Sequence, residues 1–250
     1  MISNRILGMR VDPVTLEETI NHILAWAVER QGRMVCAADV HLVMRHRDEA
    51  DFRETMTQAD LVTPDGMPLV WLLRRQGFPG QERVCGPDLT LELCGVAAEK
   101  EIPVGFYGGR PEVLQALVSN LRSQFPSLMV AYSYSPPFRP LTAAEDEAET
   151  IAINEAGVRL LFVGLGCPKQ ERWMAAHKGQ ISTVMLGVGA AFDFHAGSIR
   201  RAPSWVQRIG LEWLFRVGAD PKRLAKRAFQ YYPRFIWHVM TEGLKRTGNR

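Results

Sequence analysis

The chain is predicted to fold as an α/β protein: a Rossmann-like, largely parallel sheet sandwiched by helices, with a basic helical appendage at the C-terminus. Three observations predict this. Six short apolar runs alternate with helical stretches; several of those runs end in glycines that lead directly into a helix; and beyond Gly197 the strand signal gives way to aromatic and basic residues. Alternating strands and helices build parallel sheets, because each parallel strand needs a crossover to reach the next.

The elements follow in order. Thr15 with Glu18 three residues later is a capping box, and Leu16, Ile20, Ile23, Leu24 and Ala27 line one helical face behind it. The runs MVCAA, ADLVTP, IPVGFYG, LMVAYSY, RLLFVGLG and STVMLGVG are then the predicted strands. Pro111 opens a helix over EVLQALVSNL, and Thr142 with Glu145 forms a second capping box. After the fifth run, KQERWMAAH has helical composition, so GLGCPKQERW is a strand-turn-helix corner. Such corners turn backbone N–H groups and a helix N-terminus toward the carboxyl edge of a sheet, where anionic ligands bind. His177 closes that helix and is placed to interact with its C-terminal dipole.

The 250 residues are 46% hydrophobic, ample for a core. Cys36, Cys85, Cys94 and Cys167 lack CxxC spacing and three lie in or beside apolar segments, the usage expected of reduced thiols in a cytosolic protein. The N-terminus MISNRILGMRVDPVT shows no leader, and no 18-residue apolar window suggests a membrane span.

A net charge of +3 hides an asymmetry. From Ser198 onward there are nine Arg and three Lys against Glu212, Asp220 and Glu242, about +9, which leaves about −6 for the first 197 residues. The division predicted is a catalytic core over 1–197 and an appendage over 198–250. Up to about Val217 the appendage reads equally as a helical layer on the sheet. Past Asp220, cations and bulky apolar groups alternate too densely for a simple core helix, and an amphipathic segment on an anionic surface fits.

Four corners hold the candidate chemistry. In TPDGMPLVW, Asp65 falls at the carboxyl end of a strand, where α/β proteins keep catalytic groups, although an Asp-Gly turn alone would also explain it. FYGGRPEV sets Gly108 and Gly109 before a helix. Gly164 and Gly166 begin a GxG in which Lys169 replaces the last glycine of a dinucleotide fingerprint, and no Walker A motif occurs. In GVGAAFDFHAGSIRRAPSW, Asp193 and His195 lack a further ligand at metal spacing, so a structural hydrogen-bonding role is expected of them. Asp-x-Asp is absent from the sequence, so metal independence and no cofactor are the expectations. His41 follows Asp39 near a strand end, within reach of a ligand.

Taken in order, PDGMPLVW, RVCGPDL, GFYGGRPEV, GxGxPKQE, GVGAAFDFHAG, RAPSW and GLEWLFRVGADPKRLAKR resemble the WecG/TagA/CpsF family of bacterial glycosyltransferases (glycosyltransferase family 26) over essentially the whole chain. The resemblance implies an inverting transferase that moves a sugar from a UDP donor to a sugar on polyprenyl diphosphate. The transferred hexose would be N-acetylmannosamine or a relative, its uronate, or glucose. It implies a peripheral enzyme on the inner face of the cytoplasmic membrane, acting in cell-surface polysaccharide or teichoic acid biosynthesis.

Carried onto this sequence, Asp65 resembles the general base, while Arg83 and Gln170 resemble pocket residues. Asp39, His41, Gly108, Gly109, Gly164, Gly166, Lys169, Glu171 and Asp193 complete the expected substrate-binding set. Arg216, Arg223, Lys226 and Arg227 resemble appendage cations that meet the lipid diphosphate or membrane. Where the family often has Thr-x-Asn after its first core strand, this chain has Ala37, Ala38 and Asp39.

The chemistry is consistent with that expectation. Inverting transfer needs a carboxylate to take the acceptor's proton, and N–H groups or cations to stabilise departing UDP. Guanidinium donors match phosphate oxygens in pairs. An ordinary carboxyl is a weak base, so burial is expected to raise the Asp65 pKa. A nicotinamide-dependent oxidoreductase would show the complete GxGxxG. A nucleic-acid-binding protein would use the basic aromatic tail but leave the glycine corners without purpose. A phosphohydrolase would need metal ligands or an activated nucleophile; Cys167 beside Pro168 is the one tempting thiol, and it reads rather as a packed cysteine. No nucleic-acid partner is expected, and a homo-oligomer is compatible with the sequence.

Overall fold

The computed structural model describes residues 4–219 and 221–247, apart from the side chains at 219, 222, 223, 227 and 243–247. The six predicted runs form one parallel sheet: β3 (Arg33–Ala38), β4 (Leu61–Pro64), β5 (Val104–Gly108), β6 (Val130–Tyr134), β7 (Leu160–Gly164) and β8 (Val184–Gly187). Their order across the sheet is β4-β3-β8-β7-β5-β6. Because every pairing is parallel, all six carboxyl ends emerge at one edge. A hairpin of two-residue strands, β1 (Arg5–Ile6) and β2 (Met9–Arg10), precedes the sheet. No period-2 pattern could be read in strands so short.

Strand residues alternate between two buried layers, as the pleat requires. Leu161 and Val163 of β7 join Met34, Cys36 and Met185 on one face, whereas Leu160 and Phe162 join Val35, Val104, Phe106 and Leu186 on the other. The second face is covered by α1 (Leu16–Glu29), α5 (Gly86–Glu99), α6 (Pro111–Gln124) and α9 (Ala191–His195). The first is covered by α2 (Val40–Asp48), α3 (Ala50–Thr57), α4 (Met67–Arg75), α7 (Ala143–Glu155) and α8 (Lys169–His177). Both expected capping boxes form: the Thr15 and Thr142 hydroxyls accept from Glu18 and Glu145 backbone N–H, and both glutamates bond back. The four cysteines are free thiols.

Beyond Gly197 lie α10 (Ser204–Arg208), α11 (Glu212–Ala219) and α12 (Pro221–Thr247). The stretch past Asp220 is amphipathic and also joins the core: Ala228, Tyr231 and Phe235, at helical spacing, are buried, and the last two belong to the first core layer. Tyr231 lies 4.8 Å from the His41 ring of α2, Arg234 grips Asp48 through two 2.8 Å bonds, and Arg47 meets Glu242 at 2.8 Å. The opposite stripe of α12, Phe229, Ile236, Trp237 and Met240, is exposed. One helix therefore both packs on the core and shows an aromatic face to solvent. Among the described residues no helix is long and apolar enough to cross a membrane.

Candidate active site

Asp65 follows the last residue of β4, and its N–H donates to Ala38 O at 2.9 Å, tying the turn to the end of β3. That bond sets Asp65 beside Asp39, whose Oδ1 caps α2 by accepting from Leu42 N at 2.9 Å. Asp and Asn cap helices about equally well, so the helix does not itself demand a charge at 39. Arg83 comes in from the loop before α5. Its Nε donates to the Asp65 carbonyl and its Nη2 to Asp65 Oδ1 at 3.0 Å. Across from Asp65, Nη1 lies 2.7 Å from Glu212 Oε2 of α11 and 3.5 Å from Gln207 Oε1 of α10.

These groups surround a cavity of about 80 Å³, walled on the core side by Asp39, Asp65 and Arg83 and roofed by Gln207, Glu212 and Trp213 of the C-terminal segment. Arg216 and Tyr232 reach the same space, and Tyr232 stacks on Trp213 at 4.2 Å. Burial raises the Asp65 carboxyl above its ordinary value; the Arg83 charge works against this, while Asp39 and Glu212 reinforce it. Arg83 is held firmly protonated by its acidic neighbours despite its burial. A raised carboxyl next to a permanent cation suits proton abstraction beside an anion.

The other corners play different parts. Gly108 has φ +119°, and a Cβ there would sit 2.7 Å from the Gly164 carbonyl carbon; one on Gly164 would strike the Phe192 ring at 2.6 Å. Both glycines thus answer to the meeting of β5, β7 and α9, and Gly109 likewise borders Phe192. Gly166, at φ +77°, has open space where a Cβ would go, and exposed Lys169 stands nearby in sequence at the start of α8. Gln170 and Glu171 are buried: Gln170 Oε1 accepts from Gly166 N at 3.1 Å, and its Nε2 donates to Glu171 Oε1 at 2.8 Å. They brace the corner from below. Burial pushes the Glu171 carboxyl up to about 7.

His41 is buried against Tyr231 and accepts from Arg45 Nε at 3.0 Å, so it faces α12 rather than the cavity. Asp193 is half-buried on α9, where its carbonyl accepts from Ser198 and Ile199. His195 Nε2 binds Pro87 O at 2.8 Å, a structural bond of the expected kind. His177 Nδ1 meets Trp173 O at 2.8 Å in the last turn of α8. Arg216 lines the cavity with its guanidinium 5.6 Å from the Phe194 ring centroid, and Lys226 is exposed on α12. The Arg223 and Arg227 side chains lie outside the described residues.

Two residues escaped sequence reasoning, Gln207 and Glu212. Glu212 is one of only three acids in the basic C-terminal stretch, and that rarity was the available signal. A wider surface groove of about 720 Å³ runs between α6 and β6, lined by residues such as Leu114, Arg122 and Ser133. It lies on the edge strand farthest from β4 and has no carboxylate or imidazole in its lining.

The parallel sheet thus sets a carboxylate and a guanidinium together at its carboxyl edge, under a roof drawn from the basic C-terminal segment. The sequence profile of the Glycosyl transferase WecG/TagA/CpsF family matches residues 4–249, and the chain belongs to that family. It is a glycosyltransferase by this membership. Among similar proteins is the N-acetylglucosaminyldiphosphoundecaprenol N-acetyl-beta-D-mannosaminyltransferase of Bacillus subtilis (strain 168). The two are 29% identical over 199 residues, covering 78% of this chain and 75% of the relative.

Proposed function

We propose that the protein is an inverting, metal-independent glycosyltransferase that moves a hexose from a UDP-sugar to a sugar carried on polyprenyl diphosphate. The hexose would be N-acetylmannosamine, a relative or uronate of it, or glucose. The observation that carries the reading is Asp65, a carboxylate with raised pKa at the carboxyl end of β4, paired with Arg83 inside a cavity roofed by the basic C-terminal segment. The name of the Bacillus subtilis relative, which specifies a sugar-diphospho-undecaprenol acceptor, supports the lipid-linked acceptor.

In this reading Asp65 takes the proton from the acceptor hydroxyl while its oxygen attacks the anomeric carbon. The bond to UDP breaks on the opposite face and its electron pair leaves with the diphosphate, inverting the configuration. Arg83 supplies positive charge at the cavity, where a cation stabilises a leaving phosphate more strongly than in water, and Arg216 of the C-terminal segment is assigned to the lipid diphosphate. The segment over 198–250 acts as a unit that brings the core over 1–197 to the cytoplasmic face of the membrane. Its exposed Trp205, Phe229, Ile236 and Trp237 suit the lipid interface, and its Arg and Lys suit anionic headgroups.

The test is incubation with a panel of UDP-sugars and a lipid-diphosphate monosaccharide, with and without EDTA. Transfer is expected to persist in EDTA and to fall by about 10²–10⁴-fold in Asp65→Asn, the range for loss of a general base. Hydrolysis of UDP-sugar without transfer, or an Asp65→Asn variant at the native rate, would reject the reading.

A further inference from the structure

We infer that Glu212 is an internal competitor for the anionic substrate: its carboxylate holds the Arg83 guanidinium in the closed molecule and leaves when a nucleotide diphosphate takes its place. This rests on the nucleotide-sugar reading above and concerns how that site is regulated.

The ion pair between Arg83 and Glu212 carries the argument. Nε and Nη2 are committed to the Asp65 carbonyl and carboxylate, so Nη1 is the nitrogen that faces the roof. That nitrogen is ion-paired with Glu212 Oε2 at 2.7 Å and donates to Gln207 Oε1 at 3.5 Å. Only 17% of the Arg83 side chain is exposed, so little of the guanidinium is open to a phosphate while Glu212 stays in place. The cavity gives independent support. At about 80 Å³ it falls far below the ~300–1,000 Å³ of sites that enclose small-molecule ligands. With α10 and α11 where they sit, the space is too small to enclose a UDP-hexose.

The roof is seated closely. A Cβ on Gly210 would lie 2.7 Å from the Trp71 ring of α4, and Glu212 itself is 8% exposed. A buried carboxylate is stable there because it is paired; deprived of Arg83 it would favour water, and α11 would be driven outward. A diphosphate does what Glu212 does with more charge and more acceptor oxygens. The two ligands of Nη1 exclude each other, so nucleotide binding shifts the roof toward its open position in proportion to that difference in affinity. Trp205, Ile209 and Leu214 stand exposed on the same segment, apolar surface that an open roof would carry with it.

The experiment uses the full chain and UDP as the probe, with two readouts. Calorimetry compares UDP binding to the wild type and to Glu212→Gln, which keeps the shape and removes the charge. Trypsin cleavage after Arg208, an exposed residue of the roof, is followed in the wild type with and without UDP, a readout that needs no variant. UDP is expected to bind Glu212→Gln roughly tenfold more tightly, and to speed cleavage after Arg208. Equal or weaker binding by the variant, or protection of Arg208 by UDP, overturns the inference and makes Glu212 part of the substrate-bound closed state. Failure of UDP to bind either protein at millimolar concentration overturns instead the nucleotide-sugar reading beneath it.

Discussion

At Asp65 two opposing effects meet, and burial outweighs the Arg83 charge, so the carboxyl titrates above its ordinary 3.8. In the proposed mechanism the base form is the active one, so kcat/KM should be constant at neutral pH and fall as pH drops through that raised value. A pH-rate profile whose acid limb lies at or below the ordinary value would show that Asp65 is not the limiting base. Glu171 offers a second test, on stability. Its carboxyl is raised from 4.5 to about 7 by burial, so the neutral acid is the form the fold prefers. The stability it contributes is fully present below 4.5 and is lost as pH rises through about 7, a span worth on the order of 3 kcal/mol. Urea denaturation of the wild type at about pH 5 and about pH 8 should show this loss, and Glu171→Gln should largely abolish the difference. An equal pH dependence in both proteins would refute it.

At the scale of elements, the helix starts were legible because caps are local chemistry: Thr15 and Thr142 each need only the glutamate three residues on. The glycine corners were legible as corners but not in their reasons. Gly164 is small because Phe192, from a later helix, lies against it, and no pattern within GLGCPKQERW reports that ring. The double nature of α12 was also hidden, since Phe235 is buried in the core and Trp237, two residues on, is exposed. Phe235→Ala should therefore destabilise the protein by about 3–5 kcal/mol, as core aromatic truncations do, whereas Trp237→Ala should cost well under 1 kcal/mol as an exposed site. Equal, small losses in urea denaturation would mean that α12 does not share the core.

At the scale of the whole molecule, the chain's charge is divided between an acidic first 197 residues and a basic remainder. With each cation near an anionic surface worth about 1 kcal/mol, the protein should cosediment with vesicles containing anionic lipid and not with purely zwitterionic ones. Binding should weaken steeply between about 0.1 M and 1 M salt as the Debye length shrinks from ~10 Å to ~3 Å. Replacing Trp205 and Trp237 by Ser should weaken it further without altering that salt dependence. Binding indifferent to lipid charge would remove the membrane role assigned to the C-terminal segment.

Alone, the amino-acid order determined the α/β class, the six strands, the caps, the placing of Asp65 at a strand's carboxyl end and the basic character of the C-terminus. Each is a property of neighbours along the chain: a period, a cap spacing or a local charge density. The tertiary structure alone decided that Gln170 and Glu171 brace a turn from within, that His41 packs beneath α12, and that Arg83 is shared between Asp65 and Glu212. Those pairings join segments far apart in the chain. Long-range packing of helices on the sheet sets their distances, and no local pattern encodes it.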